Sequence, residues 1–477
     1  MTNRKKANSK KNTSKTLTET HDKKPNYFIA TIDLSYHPLI KPYGNRPVKY
    51  YAILEYFTRQ IDSDSIFVSA RLNEYKKKML KDSKAVKLNQ ENKKIIIQEV
   101  FDSLKGWLKN PEYLLLCDLS LILLDKKLIQ KAYIKIKNSL AKTQATPLKN
   151  FKNIILTEKD FKAYPLFIQR AIQQYRSNRH FWAQKETRYV VSANMSAGKS
   201  TLINALVGKT ISCMKSEATT ASLHYIYNKV SEDGISSEWD GVLTLDADEE
   251  RLMNYDSNNL SGKIHVATYF STFVNKSDNR FCFIDTPGVN SAINKDHGEI
   301  TRKTLSEEDY DKLIYIFNAT QIGTDEEIRH LKFVAENVSK DKVIFVVNKL
   351  DDFNSKNDSI SESIAGIRND LISLGYVNPA IYPISAYFSL LIKKCFNGEE
   401  LSEDENDLFV KFQKKFSRDF FNLSRYYPPI KNLNKLTQDE LTMLSIKCGL
   451  YGLENALYEN STDKTFIKQK SYKSKRK

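Results

Sequence analysis

Residues 190–206 read Val-Val-Ser-Ala-Asn-Met-Ser-Ala-Gly-Lys-Ser-Thr-Leu-Ile-Asn-Ala-Leu, and this stretch decides the fold. An apolar strand enters a tight loop of small residues and leaves it directly as a helix, which is the arrangement of a phosphate-binding loop. The pattern Gly, four residues, Gly-Lys-Ser/Thr is complete except that Ala193 replaces the first Gly. In such a loop the backbone N–H groups and the positive end of the following helix bind a β-phosphate.

The side chains of this loop predict a nucleotide and a magnesium ion. Gly198 permits close approach of the phosphate, Lys199 supplies a positive charge, and Ser200 is a magnesium ligand between the β- and γ-phosphates. The alternative is a turn of small residues with a surface lysine, and the downstream motifs argue against it. The predicted nucleotide contacts in the loop are Met195, Ser196, Ala197, Gly198, Lys199, Ser200 and Thr201.

Length and composition set the broad class of the protein. The chain of 477 residues is long enough for two or three domains. Its five cysteines are scattered without a Cys-x-x-Cys pair, which predicts a reducing compartment without disulfides or a zinc site. No signal peptide is visible, and the longest apolar stretch, 113–124, contains Asp118 and is too short to span a bilayer. We therefore expect a cytoplasmic location, with peripheral membrane association left open.

The formal net charge of +17 is concentrated at the two ends of the chain. Residues 1–24 carry eight Lys/Arg against two Asp/Glu, and residues 461–477 carry seven against one, so each tail holds +6. The remainder then holds only +5, which is ordinary for its size. Such tails bind anionic lipid or nucleic acid, or serve solubility alone, and the charge does not choose among these roles.

Periodicity and composition divide the chain into segments. These are a basic tail at 1–25 predicted to be disordered, a mainly helical region at 26–157, a nucleotide-binding domain with its preceding helix at 158–460, and a second basic tail at 461–477. Residues 91–109 show the clearest helical spacing, and 141–157 are predicted to be a linker around Pro147. A long helix is expected over 158–183 despite Pro165 near its start.

From residue 189 onward, strand and helix patterns alternate. This predicts an α/β fold, namely a doubly wound, mostly parallel sheet of the P-loop type after an N-terminal helical region. Residues 231–265 are rich in Ser, Asp and Gly, and they are predicted to be a solvent-exposed insertion. Buried strands are expected at 189–192, 221–227, 281–285, 312–317, 343–347 and 381–384.

Residues 283–288, Phe-Ile-Asp-Thr-Pro-Gly, place an acidic residue at the carboxyl end of a buried strand. There Asp285 can hold a water on magnesium, and the N–H of Gly288 can reach the γ-phosphate, so that hydrolysis releases the loop behind it. A Pro-Gly turn alone is commonplace. Its pairing with Lys199 and Ser200 is specific, and it favours a nucleotide hydrolase.

Residues 343–351, Val-Ile-Phe-Val-Val-Asn-Lys-Leu-Asp, predict that the bound base is guanine. An ionised Asp351 only accepts hydrogen bonds and can take both the ring N–H and the exocyclic amine of guanine, whereas adenine lacks that pair of donors. Asn348 is expected to tie this loop to the phosphate loop, and Lys349 to lie along the base. The alternative is a solvated turn of the same four residues. The backbone N–H groups expected to reach the guanine oxygen are those of Ser385 and Ala386.

Several motifs together resemble the bacterial dynamin-like GTPases. They are 199–206 (KSTLINAL), 217–221 (EATTA), 285–290 (DTPGVN), 318–321 (NATQ) and 348–351 (NKLD). The likeness covers roughly residues 186–396 and extends to 448–457 (CGLYGLENAL), the expected closing helix of that GTPase domain. The resemblance implies hydrolysis of GTP, with Thr220 as the switch threonine that completes the magnesium shell and Thr219 as the alternative. It also implies membrane remodelling and a nucleotide-dependent homodimer or a partner dynamin-like chain.

The chain departs from this family in two respects. Met195 stands where many dynamins have a glutamine that orients the attacking water, and a thioether has no group able to do so. We therefore expect hydrolysis that is slow, or that depends on backbone carbonyls and a partner. A full dynamin also continues into a long helical stalk, whereas this chain ends about twenty residues after Leu457, which weakens the expectation of membrane remodelling.

The sequence thus predicts a GTPase with GTP and Mg²⁺ as ligands, acting at an anionic membrane surface. The alternative is a regulatory GTPase that binds RNA or ribosomes through its basic tails, although no RNA-binding module is recognisable. The predicted catalytic residues are Lys199, Thr220 and Ser196. The predicted metal ligands are Ser200, Thr220 and Asp285. The predicted nucleotide contacts outside the phosphate loop are Gly288, Asn348, Lys349, Asp351, Ser385 and Ala386.

Overall fold

A helical unit precedes an α/β unit in the computed structural model of this chain. The structure describes residues 29–40, 45–81, 83–84, 86–88, 92–105, 110–139, 145–194, 196–212, 222–248, 251–252, 263–274, 279–287, 296–429 and 439–458. Predicted site residues that lie outside these ranges are Met195, Thr219, Thr220 and Gly288, and both basic tails lie outside them as well. Among the described residues, no helix is both long enough and apolar enough to cross a membrane.

The helical unit is built around α4, Pro111–Leu123, which is buried along its whole length. A helix that is apolar on all sides is stable only when other helices surround it, and α1, α2, α5, α6 and α7 all pack against α4. Its first residue is Pro111, at the position where a missing N–H costs nothing. The surrounding helices are α1 Asn45–Ile61, α2 Ile66–Leu80, α3 Lys93–Leu104, α5 Lys126–Asn138, α6 Ala145–Leu156 and α7 Leu166–Ala183.

One carboxylate in α4 is buried among three donors. Asp118 accepts hydrogen bonds from the Tyr75 hydroxyl at 3.0 Å, from His37 Nε2 at 3.1 Å and from the Tyr50 hydroxyl. The N–H of Leu39 donates to His37 Nδ1, so Nε2 carries the proton. A buried charge that receives three hydrogen bonds is tolerated, and this network fixes the 29–40 segment on the helices.

Two predictions in this region are wrong, and proline explains both. The expected linker at 141–157 is helix α6, because Pro147 lies in the first turn, where its missing N–H is not needed. The helix expected from 158 starts only at Leu166, because Pro165 is its N-cap. This helix, α7, packs on α4 and α6, so it belongs with the helical unit rather than beside the sheet.

The α/β unit contains a nine-stranded sheet in the order β4-β3-β5-β2-β6-β1-β7-β8-β9. The run from β6 through β1 and β7 to β9 is parallel, and β2 is antiparallel to β6. The strands are β1 Glu186–Ala193, β2 Leu223–Asn228, β3 Ser236–Trp239, β4 Val242–Thr244, β5 Lys263–Thr268, β6 Arg280–Asp285, β7 Lys312–Asn318, β8 Val343–Asn348 and β9 Ile381–Pro383.

Eight described helices accompany this sheet. They are α8 Lys199–Val207, α9 Asp296–Glu307, α10 Asp325–Asn337, α11 Ile360–Ser373, α12 Ala386–Phe396, α13 Glu403–Phe416, α14 Glu440–Lys447 and α15 Leu450–Tyr458, with short 3-10 turns at Lys340–Lys342, Asp419–Phe421 and Leu423–Tyr426. The doubly wound architecture predicted from the alternation of strands and helices is confirmed.

The prediction of a solvent-exposed insertion at 231–265 is wrong for the strands that the structure describes there. This region supplies β3, β4 and the start of β5, which extend the sheet on the β2 side. Ser236 pairs with Ala267 in β5, and Ser236 and Ser237 are both buried. Small polar residues form this edge because the ladder is held by backbone hydrogen bonds, which do not depend on apolar side chains.

The two units meet through the extended segment that precedes α1. The side chain of Asn178 in α7 accepts from the N–H of Thr31 at 2.8 Å and donates to its carbonyl at 2.9 Å. The N–H of Ile32 donates to the Asp233 carboxylate at 2.8 Å, and Lys229 pairs with the other oxygen of Asp233. Lys229 directly follows β2, so the helical unit contacts the far end of that strand.

Candidate nucleotide-binding site

The phosphate loop has the backbone geometry of an anion nest. Ser196 (φ 62°) and Gly198 (φ 85°) are both left-handed, and α8 begins at Lys199. A Cβ on Gly198 would lie 2.4 Å from Nδ2 of Asn348, so only glycine fits here. The first N–H groups of α8 have no partner within the helix, and they carry the positive end of its dipole. The loop therefore offers a site for phosphate.

Lys199 forms an ion pair with Asp285 at the bottom of this loop. The lysine side chain is 9% exposed and the carboxylate is fully buried. β6 ends at Asp285 and pairs with β1, so the sheet itself brings the two motifs together. The hydroxyl of Thr286 donates to the carbonyl of Val191 at 2.8 Å and fixes the chain just after the carboxylate.

The residues present fit a magnesium ion. Oδ2 of Asp285 is buried and has no hydrogen-bond partner among the residues that the structure describes. Ser200 lies in the first turn of α8, next to the lysine that contacts the same carboxylate. A serine hydroxyl and a carboxylate are the hard oxygen ligands that magnesium prefers. The third predicted ligand, Thr220, lies outside the described residues.

The side chain of Asn348 joins the phosphate loop to the base-binding loops. Its Nδ2 donates to the carbonyl of Ala197 at 2.9 Å, and its Oδ1 accepts from the N–H of Ala386 at 2.9 Å. Its own carbonyl accepts from the N–H of Ala319. Because Asn348 ends β8 beside β7 and β9, one residue sets the spacing among three loops at the carboxyl edge of the sheet.

Asp351 lies in a tight turn that follows this asparagine. Lys349 is left-handed with φ 66°, and the N–H of Asp352 donates to its carbonyl at 3.1 Å. Burial raises the pKa of Asp351, while a hydrogen bond from the Ser385 side chain and the charge of Lys415 oppose that rise. The Ser385 side chain and Lys415 thus favour the ionised form of Asp351, in which the carboxylate only accepts hydrogen bonds.

The backbone N–H groups of Ser385 and Ala386, which are predicted to reach a guanine oxygen, both have protein partners in this structure. The N–H of Ser385 donates to the carbonyl of Cys448 at 3.1 Å, and that of Ala386 donates to Asn348. The closing segment around Cys448 takes the first group because it packs under this loop, where a Cβ on Gly449 would clash with the carbonyl of Pro383. The hydroxyl of Ser385 accepts a hydrogen bond from the N–H of Phe388 at 3.3 Å.

Two further residues contact the site without a role assigned from sequence: Asn318 opens the quoted 318–321 motif, and Lys415 belongs to no motif. Asn318 ends β7, and its Nδ2 approaches the carbonyl of Ser196 at 3.5 Å while its Oδ1 accepts from the N–H of Thr320. Its position at the carboxyl end of a strand was a usable signal. Lys415 in α13 donates to the carbonyl of Asp351 at 2.6 Å, and no local pattern marked it.

A cavity of about 370 Å³ lies between the Ala319–Thr320 turn and residues 352–363. Three carboxylates line it, namely Asp352, Asp358 and Glu362. This acidic lining would repel a triphosphate. We therefore expect the phosphates in the loop around Lys199 rather than in this cavity.

Comparisons with known proteins agree with this geometry. Residues 190–350 match the profile of the Dynamin family. Dynamin-like protein A from Bacillus subtilis is 23% identical over 206 residues, which are 42% of this chain and 16% of that protein. The aligned part therefore spans less than a fifth of the relative's length.

Two solved structures of Era are also similar to part of this chain. One is Era from Aquifex aeolicus bound to GDP and AlF4⁻, with a TM-score of 0.28, 19% identity and coverage of 46% of this chain and 59% of that chain. The other is Era with MgGDPNP and a segment of 16S ribosomal RNA, with a TM-score of 0.27, 21% identity and coverage of 46% and 60%. These scores are too low to carry a functional argument. Residues 190–350 are similar to the GTPase domain of the Dynamin family, and the geometry of the phosphate loop agrees with that similarity.

Proposed function

We propose that this protein binds GTP with magnesium, hydrolyses it to GDP and phosphate, and acts as a dimer at an anionic membrane surface. The observation that carries the nucleotide part is the Asn348 side chain, which holds the phosphate loop at Ala197 and the base loop at Ala386. Because Asn348 fixes the spacing between the phosphate loop and the base loop, the site can bind the phosphates and the base of one guanine nucleotide at the same time. The predicted specificity residue, Asp351, follows three positions later.

We propose two kinds of catalytic contribution in this site: stabilisation of the phosphate charge and positioning of the reacting groups. Lys199 has its charge balanced by Asp285 in this structure, and we propose that a γ-phosphate draws it away. Ser200 and Asp285 would hold the metal, which supplies neutralisation of the phosphate charge. Thr220 is proposed, from the family resemblance, to place the attacking water. Ser196 is the remaining predicted catalytic residue. It lies in the phosphate loop, where the side-chain amide of Asn318 approaches its carbonyl at 3.5 Å.

The first experiment measures nucleotide choice and turnover. Full-length protein should bind fluorescent GDP and GTP in competition with unlabelled nucleotide, and it should release phosphate from GTP only with magnesium present. ATP should not compete, because adenine lacks the donor pair that Asp351 accepts. If ATP competes as well as GTP, the assignment of guanine specificity is wrong.

The distribution of charge supports the membrane part of the proposal. With the structural boundary at residue 185, the segment 29–185 carries 29 Lys/Arg against 14 Asp/Glu, and the segment 186–460 carries 30 against 40. The helical unit is therefore at +15 and the α/β unit at −10, although their sum is the ordinary +5. Within α5, Lys126–Asn138, there are five lysines and no acidic residue. An anionic surface would meet the helical unit first.

The second experiment separates a membrane from RNA. Protein is offered vesicles of equal parts phosphatidylglycerol and phosphatidylcholine, together with structured RNA at matched phosphate concentration, with a GTP analogue and with GDP. Vesicle binding that is stronger with the GTP analogue supports the proposal, because dimerisation doubles the basic surfaces per particle. Nucleotide-independent binding that prefers RNA would favour the alternative of a regulatory GTPase on RNA or ribosomes.

A charge-reversal pair locates the contact surface. The double variant Lys127→Glu with Lys131→Glu changes two exposed lysines of α5, and each lysine near an anionic membrane contributes about 1 kcal/mol. The matched control, Lys332→Glu with Lys411→Glu, makes the same change in charge on the acidic unit. Only the α5 variant should lose vesicle binding. Equal losses would mean that net charge, rather than the helical unit, governs binding.

A further inference from the structure

Lys415, far along the chain from every recognised motif, holds the turn that carries Asp351. It lies in the last turn of α13, and its Nζ donates to the carbonyl of Asp351 at 2.6 Å and to the carbonyl of Phe353. The same ammonium lies 4.4 Å from the ring centroid of Phe421. Three contacts therefore fix a lysine that is itself only partly exposed.

The turn needs an external donor because its own hydrogen bonds are few. Lys349 adopts a left-handed backbone that costs a non-glycine residue free energy. The N–H of Phe353 donates to the carbonyl of Leu350 at 3.4 Å, which is long for such a bond. An ammonium that bridges two carbonyls across the turn compensates for both weaknesses.

The helix that carries Lys415 packs against the segment that carries Ser385, the residue whose side chain lowers the pKa of Asp351. Phe412 and Phe416 of α13 pack on Phe388 of α12, with ring centroids 5.6 and 5.4 Å apart. The N–H of Phe388 in turn donates to the hydroxyl of Ser385. A capping box at the start of α13 fixes its other end. One packed unit therefore holds the backbone of Asp351 through Lys415, and it also contains Ser385, whose side chain lowers the pKa of the Asp351 carboxyl.

We propose that Lys415 is a positioning residue for guanine recognition, which sets the place of the Asp351 carboxylate without touching the nucleotide. This inference rests on the proposed binding of a guanine nucleotide. It predicts that the charge and length of residue 415 determine how well the site distinguishes guanine from hypoxanthine, which lacks the exocyclic amine that Asp351 accepts. The chemistry at the phosphates, on the opposite side of Asn348, does not depend on it.

The test compares the affinities of GDP and IDP for full-length variants, by competition against fluorescent GDP. Lys415→Met removes the donor and keeps the apolar stem, so we expect the Kd of GDP to rise about tenfold and the preference for GDP over IDP to fall at least threefold. At saturating GTP, kcat should stay within about twofold of wild type. Lys415→Arg, which retains a charged donor, should restore most of the preference.

The controls separate positioning from folding. Lys411→Met makes the same change one turn earlier on α13, at an exposed lysine outside the Asp351 turn, and it should leave both affinities unchanged. Lys415→Gln keeps a polar end and gives a second readout if the methionine variant does not fold. Loss of structure lowers the number of binding sites but leaves the ratio of affinities unaltered.

Two results would overturn the inference, and they differ. If wild type prefers GDP to IDP, and Lys415→Met and Lys415→Gln keep that ratio with full binding stoichiometry, then Lys415 does not position Asp351, while the proposed function stands. If wild type binds neither nucleotide, or does not distinguish them, then the proposed function fails and this inference fails with it.

Discussion

Lys199→Ala should unfold at a lower urea concentration than wild type when no nucleotide is bound. A phosphate-loop lysine is expected from sequence to be exposed and so to contribute little to stability. Here its side chain is 9% exposed and lies against Asp285, which is fully buried. Removing the lysine would leave a buried carboxylate without its partner.

The size of the effect follows from this geometry. Breaking a buried ion pair by deleting one partner costs about 3 to 5 kcal/mol of folding stability. Because the lysine side chain is still 9% exposed, we expect a loss at the lower end, about 3 kcal/mol. No other described group compensates for the missing lysine, because Oδ2 of Asp285 has no hydrogen-bond partner among the described residues. Adding Asp285→Asn removes the orphaned charge, so the double variant should recover most of the loss.

The assay is urea unfolding of nucleotide-free protein, followed by the intrinsic fluorescence of its three tryptophans. A lower midpoint at an unchanged slope reports a loss of stability. The control is Lys209→Ala, whose lysine pairs with Glu232 at 20% and 51% exposure, and a pair so exposed should contribute less than about 1 kcal/mol. If Lys199→Ala shifts the midpoint no more than this control, the burial argument is refuted. If the double variant stays as unstable as the single one, the lost packing of the lysine stem explains the effect instead.

Three other changes test the site and the core. Asp351→Asn should shift preference from GTP to xanthosine triphosphate in competition binding, because the amide donates to the xanthine oxygen that replaces the amine of guanine. Thr220→Ala should lower kcat far more than GTP affinity in steady-state phosphate release; if Thr219→Ala is the variant that loses turnover, the switch register is off by one. Burial lowers the pKa of His330 to about 4 from its ordinary value of 6.5. Folding favours the neutral imidazole, so its contribution to the free energy of unfolding is present in full above pH 6.5. As the pH falls through about 4, up to about 3 kcal/mol of that contribution is lost. His330→Gln should flatten that part of the pH dependence of the unfolding free energy.

The strands beside the motifs were predicted almost to the residue. The run expected at 343–347 is β8, Val343–Asn348, and the run expected at 312–317 is β7, Lys312–Asn318. Buried parallel strands are continuous apolar runs, so composition alone delimits them. The loops that follow them were found for the same reason, since a ligand site in such a sheet lies at the carboxyl ends of its strands.

The errors lie where the deciding interaction is not local. Ser236 and Ser237 are polar and were predicted to be solvent-exposed, but they are covered because β5 pairs with them from later in the chain. The sequence predicts a linker around Pro147. A proline ends a helix only when it lies beyond the first turn, and Pro147 lies within the first turn of α6. A pattern read over a short window cannot supply either fact.

Lys199 and Lys415 show the same limit within the site. The first was correctly placed at the phosphate loop, but its burial depends on Asp285, which the sheet delivers from a different strand. The second belongs to no motif and reaches the Asp351 turn only because α13 packs on α12. Motifs identify groups that touch a ligand, whereas groups that hold those groups in place are determined by the packing.

The net charge illustrates why a total is a poor guide to partners. The central part of the chain sums to +5, and this small value hides +15 on the helical unit and −10 on the α/β unit. Opposite charges cancel at a surface only when they lie within about one Debye length, near 8 Å at physiological salt, and two folded units separate most of their charges by more than that. A polyanion that approaches the helical unit therefore experiences that unit's own charge, to which each basic tail adds +6. We therefore propose that the helical unit, as well as the tails, binds an anionic surface. A variant without residues 1–24 and 461–477 should then keep part of its affinity for that surface, and complete loss of binding in that variant would refute a role for the helical unit.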